Sequence, residues 1–223
     1  MADGLLIVLP REPEAYLESL RQRDFPHVLI DQLGTDEADL SVIAANQEGG
    51  YEATKHLINL GHRRIGIITG WMDMISARQR LEGYKAALAE HGIPYDPSLV
   101  YVGDFSQPGG FSGASYFLEM TTRPTAVFAS NDILAMGVFD AAHTYGLNVP
   151  GDLSVIGFDD IPLAAVSSPK LTTIRQPLQE MGRAATRLLL DLINAPEKRR
   201  GSIILPIELL LRESTAPQYH SYL

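Results

Sequence analysis

The 223-residue sequence contains no cysteine. That excludes a disulfide framework, a thiolate-ligated metal and a cysteine nucleophile. Positive charge is scarce. Lys and Arg number 18 against 27 Asp and Glu, a formal net charge of −9. Such a chain has no global field to attract nucleic acid or an anionic membrane, so any DNA contact would belong to a segment outside it. Long hydrophobic runs are missing as well. Leu5–Leu9 and Leu209–Leu211 fall far short of the ~20 residues that a membrane helix needs. The first run is not an export signal either, because no basic residue precedes it and the string PREPE follows it. GxGxxG, Walker A, HExxH and GxSxG are all absent, and His27, His56, His62, His91, His143 and His220 do not share metal-ligand spacing. No metal site and no cofactor is expected.

What is present is a regular alternation of apolar strands and amphipathic helices. The apolar runs at 4–10, 27–31, 41–45, 64–70, 98–105, 125–130, 153–160, 171–177 and 202–214 read as strands, the first as a buried one. Helices are expected at 14–23, 49–60, 76–91, 110–120, 132–145 and 177–195. Their faces are marked by Ala53, Leu57 and Ile58, by Ala77, Leu81, Tyr84 and Leu88, by Leu134, Val138 and Ala142, and by Met181, Ala184, Leu188 and Leu192. Ser76 reads as a cap, and Gly61 and Gly146 as helix stops. Short continuous apolar strands between helices imply a parallel α/β sheet covered on both faces. The EKRRG string at 197–201 reads as a solvated turn, and TAPQYHSYL as a frayed tail.

Ligands of open α/β sheets bind beyond the carboxyl ends of the strands. The polar residues there are Asp31, Ser130-Asn131-Asp132 and Asp159-Asp160, with Phe105 after Gly103-Asp104 and Arg78 and Arg80 early in the next helix. Carboxylates and a carboxamide hold hydroxyls in paired hydrogen bonds, arginine donates to oxygens, and an aromatic face covers C–H surface. That set suits a sugar or polyol. Each residue also has an ordinary structural use. Asn131, Asp132 and Asp160 serve equally as caps, Asp159 and Asp31 as turn residues, Phe105 as core, Arg80 as surface and Trp71 as a lid or partial core.

The strings DGLLIVLP (3–10), HLINLGHRRIGIITG (56–70), ARQRLEGYKAALAEHGI (77–93), RPTAVFASNDILAMGV (123–138), GLNVPGDLSVIGFDDIPLA (146–164), PKLTTIRQPLQEMG (169–182) and LPIELLLRES (205–214) are collinear over almost the whole chain. On them the sequence resembles the ligand-sensing domain of the LacI/GalR family of bacterial transcription regulators. The resemblance implies a two-lobed periplasmic-binding-protein-like fold with an effector in the cleft. It places 1–61 and 178–203 in an incomplete N-terminal lobe, 64–173 and 204–213 in a C-terminal lobe, and 214–223 in a tail. Arg80, Asn131, Asp159 and Phe105 match effector positions, with Asp31 as a further contact. Gly61, His62, Thr173 and Gln176 fall at expected hinge crossings.

The resemblance further implies a non-enzymatic, cytoplasmic, homodimeric sensor of a small sugar-like molecule. It would control operator DNA through a helix-turn-helix headpiece that this chain does not contain, with two leading strand–helix units of the first lobe also missing. A periplasmic sugar-binding protein of a transport system is the alternative. An enzyme using Asp159, Asp160 and Arg80 has no nucleophile or metal site to support it. Ala45-Asn46-Gln47-Glu48 and Trp71-Met72-Asp73-Met74 depart from the family pattern, so the effector is not inherited from any relative.

Overall fold

A computed structural model describes residues 2–8, 14–34, 36, 39–195 and 201–218. The expected EKRRG turn and the end of the tail therefore lie largely outside the described residues. The chain forms two compact units. One comprises Met1–Ala45, Asp73–Ser76 and Pro177–Ile207, and the other Asn46–Met72, Ala77–Gln176 and Glu208–Leu223.

The first unit is a four-stranded parallel sheet of β1 (Leu5–Val8), β2 (His27–Ile30), β3 (Leu40–Ala44) and β9 (Ile203–Leu205), in the order β1-β2-β3-β9. Helices α1 (Glu14–Arg21) and α7 (Leu178–Asn194) accompany it. Met181, Ala185 and Leu188 of α7 bury against Val28, Leu40, Val42 and Ala44. At roughly 1.5–3 kcal/mol for each large apolar side chain taken out of water, this face secures the helix to the sheet. The apolar run alone suggested a buried strand, while the missing leading strands implied by the resemblance suggested an exposed edge. Among the described residues β1 is the outer strand and pairs with β2, and Leu5, Leu6 and Val8 are exposed.

The second unit is a six-stranded sheet. Its strands are β4 (Ile65–Thr69), β5 (Val100–Val102), β6 (Ala126–Ala129), β7 (Ser154–Asp159), β8 (Thr172–Arg175) and β10 (Glu208–Leu210), in the order β10-β8-β7-β6-β4-β5. All neighbours are parallel except β10 against β8. Its helices are α2 (Asn46–Asn59), α3 (Ile75–Glu90), α4 (Gln107–Leu118), α5 (Asp132–Thr144) and the short α6 (Pro162–Val166). Because β5 lies on one side of β4 and β6 on the other, the winding reverses between β4 and β6. Open α/β sheets bind their ligands beyond the carboxyl ends of the strands at such a reversal.

Three expectations change. The run at 202–214 is not one strand: Ile203–Leu205 joins β3 and Glu208–Leu210 joins β8, two different sheets. Helix α2, expected in the first lobe, belongs to the second unit. Ser76 does not cap α3, which starts at Ile75 and buries Ser76 almost completely.

Candidate functional site

The carboxyl ends of β4, β6 and β7 hold the residues that the sequence singled out. Arg80 stands early in α3, yet only 2% of its surface is exposed. Its Nε donates to Asn46 Oδ1 at 2.9 Å, and Nη1 donates to the Ser130 carbonyl at the end of β6. Nη1 also lies 3.7 Å from Asp159 Oδ1. The central guanidinium carbon sits over the Phe158 ring, 3.7 Å from its centroid. A buried guanidinium is tolerated only when acceptors and a counter-charge of this kind meet it.

Asp159 ends β7 with a positive φ of 115°, and Asp160 follows at 59°. Two consecutive non-glycine residues in this region are strained, which the surrounding contacts must hold in place. Gln176 Nε2 donates to Asp159 Oδ1 at 2.6 Å, and Arg175 Nε donates to Asp160 Oδ2 at 2.8 Å. Arg212 pairs with the other Asp160 oxygen. The Asp159 side chain stays 22% exposed.

Asn131 caps α5, its Oδ1 accepting from Leu134 N–H at 2.7 Å. Its Nδ2 donates to the Phe105 carbonyl at 3.2 Å, so one side chain starts a helix and holds the β5–α4 loop. Phe105 has a φ of 62° and packs over Gly70, where an added Cβ would lie 1.9 Å from the ring. Trp71 meets Phe105 edge to face, with centroids 6.1 Å apart. Together they form an aromatic wall with Trp71 half-exposed.

In the second unit Arg80 pairs with Asp159 and bonds Ser130, and the next residue, Asn131, holds Phe105. Asp31 lies in the first unit at the end of β2, with φ 58° and its N–H donating to the Val42 carbonyl. Asn46, marked in the sequence only as a departure from the family pattern, and Phe158, unmarked there, are both partners of Arg80. Among the described residues no cluster of His, Asp and Glu could hold a metal ion.

The hinge assignments divide. Gly61 and His62 sit inside the second unit, not at a crossing. Gly61, at φ 93°, closes α2: its N–H donates to Ile58 O and the next N–H to Leu57 O. His62 is a buried tie. Nδ1 lies 2.9 Å from Thr125 Oγ1, and Nε2 lies 3.0 Å from Ser154 Oγ and 3.1 Å from the Ala216 carbonyl. Burial lowers its pKa below the ordinary imidazole value. Thr173 is buried in β8 and donates to Asp132. Gln176 does stand where the second unit ends before Pro177.

The model of the periplasmic binding protein-like domain matches residues 54–215. The repressor PurR of Photobacterium profundum is 37% identical over 95% of this chain and 64% of its own length. The ribose operon repressor of Haemophilus influenzae is 41% identical over 85% of this chain and 57% of its own. This chain belongs to the LacI-type regulators. A LacI family regulator from Enterococcus faecium with bound ribose superposes with a TM-score of 0.88 at 34% identity, covering 98% of this chain and 81% of that one.

The LacI-type chain is a ligand-binding domain with the expected parallel α/β, periplasmic-binding-protein-like fold. The curated relatives it matches are transcriptional repressors. It spans 64% of the length of the first curated relatives. Among the described residues no helix is long and apolar enough to cross a membrane.

Proposed function

We propose that the second unit binds a small hydroxyl-bearing effector, a sugar or sugar derivative, at the carboxyl ends of β4, β6 and β7. One observation carries this reading. Arg80 pairs with Asp159 and bonds Ser130, whose neighbour Asn131 holds Phe105 against Trp71 near the reversal of the sheet winding, and the Asp159 side chain stays 22% exposed. The carboxylate of Asp159 would accept from paired hydroxyls, Arg80 would fix that carboxylate, and the aromatic edge would cover the C–H surface of a ring. Asn131 holds Phe105 in place.

In the whole regulator, effector binding would bias one arrangement of the sensor over another. That bias would control operator DNA held by a helix-turn-helix segment outside this chain, in a cytoplasmic homodimer. A ligand shifts such an equilibrium only by its differential affinity for the two states, so the pocket that grips the effector is also the source of the coupling.

Trp71 is the one tryptophan of the sequence and reports directly on this wall. Its fluorescence is titrated with D-ribose, cellobiose, nucleosides and polyols. A saturable change is expected for one class, and loss of it in Asp159→Ala. If none of these compounds binds, or if Asp159→Ala leaves affinity unchanged, the assignment is wrong.

A further inference from the structure

Beneath the acidic turn that ends β7 lies a third carboxylate, Asp132, the first residue of α5. It is fully buried. Thr173 Oγ1 of β8 donates to its Oδ1 at 2.6 Å, and the Ile161 N–H donates to its Oδ2 at 2.9 Å. The site is shaped for it. At Gly157 of β7 a Cβ would lie 2.3 Å from Asp132 Oδ1, so only a glycine lets the carboxylate approach the strand so closely. The sequence placed Asp132 among the polar strand-end residues with a cap as its ordinary use, but Asn131 is the cap of α5, and Asp132 bonds instead across the sheet ends.

We propose that Asp132 is a positioning residue for the effector-facing turn, clamping Ile161 and Thr173 so that the strained Asp159-Asp160 pair holds Asp159 against Arg80 and Gln176. The inference rests on the reading of Asp159 as an effector contact, while the clamp itself is a property of the ligand-free chain. Ile161 directly follows the two positive-φ residues. A buried acceptor at Ile161 therefore fixes the exit of the turn, as the β7 ladder fixes its entry. Without it, the strain at Asp159 and Asp160 would relax by moving the Asp159 carboxylate.

The clamp is also a proton site. Asp159 and Asp160 face Asp132 from the end of β7, and α6 brings no charged group. Arg80 of α3 is engaged by Asp159, and Arg175 of β8 and Arg212 are engaged by Asp160. Burial first, then the Asp159 and Asp160 charges, push the Asp132 pKa up to about 7, against the opposing bonds from Thr173 and Ile161. The protonated acid still accepts from Ile161 and can donate to Thr173 Oγ1. Proton uptake thus keeps the clamp and removes one negative charge from under the effector turn.

The test needs no ligand. Nuclear magnetic resonance on the full chain follows the exchange of the Ile161 amide and the pH dependence of the Asp159 carboxyl and Arg80 Nε signals. In Asp132→Ala, Ile161 exchange is expected to quicken by about tenfold or more, the usual cost of losing one buried acceptor. Asp132→Asn should restore protection, because its Oδ1 accepts from Ile161 and its Nδ2 donates to Thr173. It should also abolish the step near pH 7 in the Asp159 and Arg80 signals. Should Asp132→Ala fail to fold, Thr173→Val removes one opposing bond and should move that step to higher pH. Unchanged Ile161 exchange in Asp132→Ala, a step that persists in Asp132→Asn, or a step unmoved in Thr173→Val would overturn the proposal. None of these outcomes depends on which effector binds, so a failure here is separable from a failure of the sensor reading.

Discussion

The central guanidinium carbon of Arg80 lies 3.7 Å from the centroid of the Phe158 ring, while the same guanidinium reaches Asp159, the residue that follows Phe158. One side chain therefore reads two consecutive residues of β7. The aromatic face removes water from the cation, and the reduced screening strengthens its hold on the neighbouring carboxylate.

Arg80→Lys should not be conservative. A lysine keeps the charge but lacks the planar fork that bonds Asn46 and Ser130 while covering Phe158. Urea unfolding should show a loss of roughly 2–3 kcal/mol at constant m-value, the scale of a broken buried polar network. Effector affinity should fall by about tenfold or more, in proportion to the ~1.4 kcal/mol that each factor of ten represents. Wild-type stability in Arg80→Lys would show that the planar contacts are incidental.

Asp159 separates strain from function. Its positive φ is unfavourable for any residue with a Cβ, at a cost of order 1–3 kcal/mol. Asp159→Gly relieves that strain while losing the Arg80 and Gln176 contacts. Asp159→Ala loses the same contacts and keeps the strain. Thermal or urea unfolding should therefore place the glycine variant about 1 kcal/mol or more above the alanine variant, with effector binding lost in both. Equal stabilities would mean that the turn is not strained.

Asn131 has two separable duties. Asn131→Ala removes the cap of α5 and should cost about 1 kcal/mol. Asn131→Asp keeps an acceptor for the Leu134 N–H, and its negative charge suits a helix N-terminus, so stability should stay near wild type. It lacks the donor that holds the Phe105 carbonyl, so the quenching of Trp71 by a bound effector should weaken several-fold. A variant that binds as wild type does would detach Phe105 from the site.

The buried His62 sets an acid limit. Its pKa is depressed by burial, and that of His56 by burial and by neighbouring His62. The unfolded chain therefore takes up these protons first. The stability that these groups contribute is complete above the unfolded value near 6.5 and drains away as pH falls below it. Unfolding free energies measured at about pH 7.5 and 5.5 should differ less in His62→Gln than in wild type. Parallel pH profiles would rule the histidine out. Asp132 has the opposite sign. Its raised pKa makes the folded state lose stability as pH rises from about 4 towards 7, at no more than ~1.4 kcal/mol per pH unit, and Asp132→Asn isolates that limb.

Much of this was legible along the chain. The apolar faces of α3 and α5 were correct because amphipathic periodicity is local: Ala77, Leu81, Tyr84 and Leu88 are buried, as are Leu134, Val138 and Ala142. Arg80, Asn131, Asp159 and Phe105 stood out because they are polar or aromatic residues at strand ends, where a parallel sheet exposes its loops. Gly61 was legible as the stop of α2, while the partners of His62 at Thr125, Ser154 and Ala216, far along the chain, were not.

The sequence by itself determined the alternation of strands and helices, the absence of catalytic and metal motifs, the family, and which polar residues follow the strands. Those follow from short-range pattern and from residue chemistry. Only the tertiary structure decided how 202–214 divides between two sheets, why a charged Arg80 can be buried, and what Asp132 does. Each of these depends on partners far away in the chain: β3 and β8, Asn46 and Ser130, Thr173 and Ile161. Hydrogen bonds and desolvation act through space, and no local run of residues records which distant groups will meet.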